Sequence, residues 1–437
     1  MITSLDGNES SFTPGEQDDL SIVDVYGNKI SYEDRLNIIE TVSTLPVALF
    51  KSQIVDTILN NKVSIIRAET GAGKTTQVAK YMYQEGYRVV NTVPRVISAV
   101  SLGQRVSEEL ICETGDPKNS LGLNVGFRTG EKVSSKSTSP LSFHTDGTEL
   151  MRRSSFNDNK TDILILDEIH QFSIPSEILS MVIKKSMLKT KNDTRIVLMS
   201  ATIDPSIFQD FFKDLQNDIP VTDIPGRTFP INEYYNDGKN YIGTTLGHLK
   251  QGENILLFSK GKKEIQEIVE KLKQSITSFE LDGERFQVEI MPLHSELPIE
   301  YQTSLLQNPP DGVKRIIVST NVAEESITIP YINTVVDLGK GKVSICNEYG
   351  IPTLVTYDIS KANSKQRKGR GGRVMEGNYI RENETPYDEL DEYPKAPIER
   401  EMIDREILAC LKIGIDVINE VKNLKKEGKK LFFHDVP

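Results

Sequence analysis

From about Leu45, short apolar runs alternate with longer stretches whose apolar positions recur at helical spacing. That alternation is the signature of strands and helices laid into a parallel sheet. It predicts strands over 63–67, 88–93, 163–166 and 195–199, with helices over 75–83, 97–109 and 176–188. A turn-rich segment, Ile224-Pro-Gly-Arg-Thr-Phe-Pro-Ile231, breaks the rhythm and reads as a linker. The alternation then restarts, with strands over 254–258, 287–291, 315–319 and 334–336 and helices over 262–274 and 298–307. Residues 340–358 read as a hairpin turning at Asn347-Glu-Tyr-Gly350, and 398–411 as an amphipathic helix. The Lys-rich stretch 422–430 reads as a solvated helix face.

The pattern divides the chain into four parts. Residues 1–44 form a partly disordered leader, rich in Ser, Asp, Glu and Gly at its start. Residues 45–224 and 225–384 form two α/β lobes of similar size, and 385–437 a mostly helical C-terminal segment. The expected fold is therefore α/β, with two tandem parallel-sheet domains. Only the first lobe carries a phosphate-binding loop, so the second lobe is expected to complete a site across a cleft.

Composition adds limits. A formal charge of −11 argues against nucleic acid being held by a bulk positive field, though a local basic groove remains open. Cys112, Cys346 and Cys410 are far apart and form no CxxC, so reduced thiols in an intracellular protein are expected rather than a disulfide or zinc framework. No apolar run is long enough for a membrane span, and the N-terminus lacks the basic and apolar regions of a secretory signal. A cytoplasmic or nuclear monomer without membrane contact is the expectation.

Two strings carry the chemistry. Ala68-Glu69-Thr70-Gly71-Ala72-Gly73-Lys74-Thr75-Thr76 lies between a predicted strand and a predicted helix, the context that a P-loop requires. The strict pattern begins with Gly; Ala68 is small enough to keep the turn. Successive backbone N–H groups would cradle phosphate oxygens, Lys74 would reach the β- and γ-phosphates, and the Thr75 hydroxyl would ligate Mg²⁺. Asp167-Glu168-Ile169-His170 follows an apolar run, which puts two carboxylates at the end of a buried strand, where open α/β sheets bind ligands. Together the strings imply nucleoside-triphosphate hydrolysis. Later, Gln366-Arg-Lys-Gly-Arg370-Gly-Gly-Arg373 places three arginines among glycines, and arginines delivered to a γ-phosphate stabilise transition-state charge.

With these residues in hand, the chain from about Leu45 to about Arg381 resembles the DEAH-box/RHA-like branch of superfamily 2 helicases. Further matching strings are Pro94-Arg95, Gln104-Arg-Val-Ser-Glu-Glu109, Val125-Gly-Phe-Arg128, Thr145-Asp146-Gly147, Ser200-Ala-Thr202, Leu257-Phe-Ser-Lys-Gly261 and Ser319-Thr-Asn-Val-Ala-Glu324. The resemblance implies two RecA-like domains and ATP with Mg²⁺ as cofactors, the metal held by Thr75, Asp167 and Glu168. It makes Glu168 the base that orients the attacking water, with Gln366 beside it, Arg370 and Arg373 the fingers on the γ-phosphate, and His170 the link between the lobes. Arg95, Arg128, Thr145, Asp146, Gly147, Lys260, Gly261 and Thr320 sit where the family grips the backbone of a single strand, with little base specificity. The 340–358 hairpin sits where family members part a duplex. Arg105 matches an Arg that stacks on the base, but the opposing Phe position is Leu306, so several nucleoside triphosphates are expected to be accepted.

The implied function is ATP-driven movement on or remodelling of RNA, 3′-to-5′ by resemblance, with an activating protein partner left open. A non-processive remodeller of ribonucleoproteins and a DNA helicase are the alternatives. Departures from the family are Gly371 for Ala, Glu325 for Thr, and Gln171-Phe172 where Glu-Arg is common. Residues 385–437 are also expected to supply no more than the start of a winged helix.

Overall fold

The structure, a computed structural model, describes residues 29–434 except 70, 131–132, 135–138, 154–160, 190–192, 202–203, 227–228, 278–285, 326–328, 330, 348, 373–374 and 427–430. The expectations for Thr70 and Arg373, and for the first part of the leader, lie outside the described residues.

Two parallel α/β sheets follow one another along the chain. The first contains β1 (Val63–Ala68), β2 (Val89–Val93), β3 (Val125–Arg128), β4 (Val133–Ser134), β5 (Leu141–Thr145), β6 (Ile163–Leu166), β7 (Arg195–Ser200) and β8 (Val221–Ile224). Their spatial order is β4-β3-β5-β2-β6-β7-β1-β8, parallel apart from β4 on β3. The second contains β9 (Ile231–Asn236), β10 (Ile255–Phe258), β11 (Gln287–Leu293), β12 (Val313–Ser319), β13 (Thr334–Asp337) and β16 (Gly377–Glu382), in the order β11-β12-β10-β13-β16-β9. Between β13 and β16 the chain makes the expected antiparallel hairpin, β14 (Lys340–Cys346) and β15 (Pro352–Asp358). Tyr349, Ile351 and Leu354 are exposed on it.

Central strands are buried on both faces, as uninterrupted apolar runs require. All four residues of β6 and of β10 are buried. Residues 32–43, in the span read as leader, form a helix, Tyr32–Ser43, whose N-cap Ser31 accepts a hydrogen bond from the Asp34 amide. The helix expected over 298–307 is shorter, Ile299–Ser304.

The helix expected over 398–411 begins only at Asp404 and runs to Lys412, after a single turn at Pro397–Glu399. Tertiary burial explains the break: Ile398 and Ile403 both enter the first lobe's core, which a continuous helix through 400–403 would not allow. The C-terminal segment thus returns to the first lobe. Ala396, Cys410, Val417, Leu431, Phe432 and Phe433 share one cluster with Leu166 and Ile169, beside the Asp-Glu string. The segment also pins the hairpin, because Arg400 Nη1 donates to the Ser344 carbonyl and the Cys346 amide donates to the Arg400 carbonyl, each at 2.8 Å. Among the described residues no single helix is long and apolar enough to cross a membrane.

Candidate functional site

The sheet order sorts the candidate residues into two groups. The P-loop follows β1, Asp167 and Glu168 follow β6, and Ser200-Ala201 closes β7; these three strands are neighbours. Arg95 follows β2, Arg128 ends β3, and Thr145-Asp146 ends β5 and opens the next helix; these are neighbours on the other half of the sheet. One carboxyl edge therefore presents phosphate chemistry on one half and the candidate strand contacts on the other, as parallel α/β sheets do at their ligand edge.

The P-loop is built by backbone. Gly71 (φ +88°) and Gly73 (φ +87°) take left-handed conformations that cost glycine little. A Cβ on Gly73 would also meet Leu45 Cδ1 at 2.8 Å. The loop is tied from outside by the Val47 amide, which donates to the Ala72 carbonyl (3.0 Å), and from inside by the Ala72 amide on the Glu69 carbonyl (3.2 Å). Thr76 Oγ1 donates to the Gly73 carbonyl at 3.3 Å. Gln77 Nε2, bonded to Thr76, also donates to the buried Glu109, which pairs with Lys80 at 3.1 Å. The sequence reading missed this brace beneath the loop, since its members come from two separate helices.

Lys74, almost fully buried, places Nζ 2.5 Å from Glu168 Oε1 and 3.7 Å from Asp167 Oδ1. Burial works against the lysine's charge, but Glu168 and Asp167 outweigh it and hold its pKa above the ordinary value. Burial likewise pushes Glu168 up, but the Lys74 charge and hydrogen bond, with His170 and Arg370, together outweigh it and hold its pKa below the ordinary value. For Asp167 burial wins and raises its pKa to about 6. The turn carrying these groups is strained: Glu168 (φ +53°) and Phe172 (φ +46°) are the non-glycine residues with positive φ among the described residues. Such conformations cost on the order of 1–3 kcal/mol each and concentrate at functional sites.

The second lobe closes on this turn. Gln366 Nε2 lies 2.8 Å from His170 Nε2, and Glu168 Oε2 lies 3.4 Å from the same imidazole nitrogen. Burial lowers the His170 pKa below the ordinary value, and its Nε2 is the point where Gln366 and Glu168 meet. Arg370, largely buried, projects its charge onto Lys74, Glu168 and His170. Arg367, three residues earlier, turns the other way. Fully buried, it donates to Glu324 (2.8 Å) and Asp337 (2.7 Å) and stacks on Phe258, 4.8 Å from the ring centroid. Tyr379 and Asn363 complete that network.

The donor set fits Mg²⁺. Asp167 Oδ2 is buried with no hydrogen-bond partner among the described residues, while the Thr75 side chain bonds to the same carboxylate. Among the described residues no group of three or more His, Cys, Asp and Glu is arranged to hold a metal ion by itself. A hydroxyl and a carboxylate beside substrate phosphates are the set that Mg²⁺ takes in such loops. Arg105 is tied to its own helix, with Nε 2.8 Å from Glu109 Oε1. It lines a cavity of about 390 Å³ with Asp34, Asn37 and Thr41. Leu306 packs on a second-lobe cluster that includes Ile97 from the first lobe.

On the half with the candidate strand contacts, Thr145 Oγ1 pairs with Thr148 Oγ1 at 2.7 Å, and the Ser173 hydroxyl donates to Asp146 Oδ2 at 2.7 Å. Burial raises Asp146 to about 6. A Cβ added at Gly147 would stand 3.9 Å from Pro175, an ordinary van der Waals contact. In the second lobe, Lys260, Gly261 and Thr320 line one cavity of about 270 Å³ at the ends of neighbouring strands β10 and β12. Lys262, Lys263, His294, Asn321 and the hairpin's Lys342 join them there. Of these additions, the lysines beside Lys260 were legible as a local charge run. His294 and Lys342 come from distant elements.

Comparison with known proteins agrees with this arrangement. Residues 49–211 match the DEAD/DEAH box helicase family and 239–375 the helicase conserved C-terminal domain. The chain is 32% identical over 412 residues to the pre-mRNA-splicing factor ATP-dependent RNA helicase prp22 of Schizosaccharomyces pombe. That match takes in 89% of this chain and 34% of the relative, so the chain spans about a third of the relative's length. In fold it is similar to the Escherichia coli DEAH/RHA helicase HrpB, with a TM-score of 0.74 and 24% identity, covering 85% of this chain and 47% of that one. With both RecA-like lobes in order and their motifs gathered at facing strand ends, the chain belongs to the DEAH-box/RHA-like branch of superfamily 2 helicases.

Proposed function

We propose that the chain is a nucleoside-triphosphate hydrolase whose cleft, closed between the lobes, couples ATP turnover to a changing grip on single-stranded RNA. The observation that carries this reading is the continuous line Lys74–Glu168–His170–Gln366, which begins in the P-loop and ends in the second lobe. The Gly71 and Gly73 backbone with Lys74 binds the phosphates. Glu168 orients the attacking water, and Arg370 with Arg373 neutralises charge on the γ-phosphoryl oxygens. Thr75 and Asp167 would hold Mg²⁺, which when bound neutralises the β- and γ-phosphate oxygens. An incoming phosphate competes with Glu168 for Lys74, which frees the carboxylate to accept a proton.

Hydrolysis removes what Arg370 holds across the cleft, so the lobes part and the strand-binding edges move relative to one another. The edges concerned are those carrying Arg95, Arg128, Thr145 and Gly147 in one lobe and Lys260, Gly261 and Thr320 in the other. Movement 3′-to-5′ is part of the proposal. The splicing-factor name of the prp22 relative supports RNA as the strand and a nuclear or cytoplasmic setting. The test is steady-state ATP turnover alone, with single-stranded RNA and with single-stranded DNA. The expected result is stimulation by RNA; equal stimulation by DNA favours the DNA reading, and no turnover under any condition overturns the proposal.

A further inference from the structure

Phe172, one of the departures from the family pattern, sits at a junction. On its N-terminal side is the Asp167-Glu168-Ile169-His170 turn. On its C-terminal side Ser173 holds Asp146 by a 2.7 Å hydrogen bond. The ring of Phe172 is enclosed by a segment far along the chain. The His434 ring meets it edge-on at 4.2 Å between centroids, and Phe433 meets it at 5.9 Å. Phe433 in turn packs on Phe208 (5.1 Å) and Phe211 (4.5 Å), while Leu431 and Phe432 are buried in the cluster that contains Leu166 and Ile169.

The segment is also fixed by polar bonds. The His434 ring Nδ1 lies 2.9 Å from Glu177 Oε1, and its backbone amide donates to Glu177 Oε2 at 3.3 Å. Glu177 is fully buried and stands on the Ile174–Lys189 helix that starts just after Phe172. A left-handed conformation at a residue as bulky as phenylalanine persists only when its surroundings over-determine it. Here the surroundings are Phe208, whose ring stacks on Phe172 at 5.9 Å between centroids, and residues 431–434, which close over both.

We propose that residues 431–434 form a positioning clasp: Phe433 and His434 hold Phe172, and through it set the backbone turn that aims Glu168 at the attacking water and His170 at Gln366. Phe172, Phe433 and His434 are positioning residues in this assignment, since none touches the reacting groups. The clasp rests on the hydrolase reading for its effect on turnover, but its effect on the turn's backbone does not. Within the turn, the Glu168 amide bonds to Asp167 Oδ1, the Gln171 amide to the Glu168 carbonyl and the Phe172 amide to the Ile169 carbonyl. Loosening the clasp frees these amides.

The experiment compares the full chain with its Phe433→Ala and His434→Ala variants, with ATP varied at saturating single-stranded RNA. Expected are falls in kcat of about tenfold for Phe433→Ala and about threefold for His434→Ala, with KM for ATP within about twofold of wild type. Phe433→Leu, which keeps apolar bulk, restores most of the turnover. Leu249→Ala, a core truncation in the second lobe, lowers the melting temperature while leaving kcat at the wild-type value. Hydrogen exchange at the amides of residues 168–172 rises in both clasp variants. Should Phe433→Ala not fold, His434→Ala decides alone, because that side chain is partly exposed and loses only the Glu177 bond and the Phe172 contact. A lowered melting temperature with wild-type kcat and wild-type exchange at 168–172 overturns the clasp. A wild-type chain without turnover overturns the hydrolase reading instead, and the exchange data then decide the clasp by themselves.

Discussion

The two lobes bury charge in opposite ways. In the first, Lys74, Asp167 and Glu168 converge at the open ends of β1 and β6, and Asp167 Oδ2 is left without a hydrogen-bond partner among the described residues. In the second, Glu324, Asp337, Asn363, Arg367 and Tyr379 close upon one another, and Arg367 also donates to the Lys340 carbonyl at the base of the hairpin. A polar cluster with an unfilled acceptor is arranged for something that arrives. A cluster whose members satisfy one another holds parts of the same lobe together, here β13, the hairpin and the Lys361–Lys368 helix. One motif spans both behaviours: Arg367 belongs to the closed network and Arg370 to the open cleft.

Two substitutions at that motif break the comparison most sharply. Arg370→Ala is expected to lower kcat by about 10³–10⁵, the usual worth of an arginine finger, with unfolding unchanged. Arg367→Met should do the reverse. It leaves Glu324 and Asp337 as buried charges without a cation, which costs about 3–5 kcal/mol in a urea unfolding curve. Turnover within tenfold of wild type for Arg370→Ala would remove it from the transition state. Wild-type stability for Arg367→Met would show that the second lobe's network is dispensable.

The contrast also marks what could be read from the sequence. β6 was legible to the residue because its four apolar positions are all buried, and the P-loop because its working groups are contiguous. β9 was not, since its residues, Ile231-Asn-Glu-Tyr-Tyr-Asn236, are mostly exposed and it exists only by pairing with β16 at the sheet edge. Arg367 was visible as a motif residue, yet nothing local showed that it faces Glu324, 43 positions away. Phe172 was visible as a departure, but its partners lie beyond any local pattern: His434 reaches Glu177 across 257 positions.

Acid sharpens the comparison on the first lobe's side. Beneath the Thr145-Asp146-Gly147 string, His144 Nδ1 lies 2.8 Å from Glu149 Oε2, and Arg153 donates to Glu149 Oε1 at 2.7 Å. Burial depresses the His144 pKa below its ordinary 6.5, so the unfolded chain takes up a proton that the folded chain refuses. The contribution of His144 to stability therefore falls as pH drops below 6.5. For Glu149, burial alone would raise the pKa, but the His144 hydrogen bond and the Arg153 and Arg152 charges bring it down to about 2 from 4.5. Its contribution is complete above 4.5 and is lost as pH falls from there toward 2. Asp146 and Asp167, both raised to about 6, work in the opposite sense over the same range, so the test is the difference between proteins: from pH 7.5 to 5 the melting temperature of wild type should drop relative to that of His144→Gln, and equal slopes would remove His144 as a cause.

The smallest expected effect tests whether the lobes share the base as the proposal has them share the phosphates. Leu306 belongs to a second-lobe cluster into which Ile97 of the first lobe inserts, so it lies at the lobe junction. Arg105, which the family resemblance places on the other side of the base, is bonded to Glu109 on its own helix. If Leu306 takes the base-facing position, an aliphatic side chain with the guanidinium held elsewhere would grip a base weakly, so kcat/KM for ATP, GTP and UTP should agree within about a hundredfold. Leu306→Phe adds an aromatic face worth about 0.5–1.5 kcal/mol, which should raise kcat/KM by about 2–12-fold, chiefly through KM. If KM stays put for all three nucleotides, the base is not held between the lobes. Closure would then rest on the phosphates alone, and the second lobe's share in the site would narrow to the arginines and glutamine of a single motif.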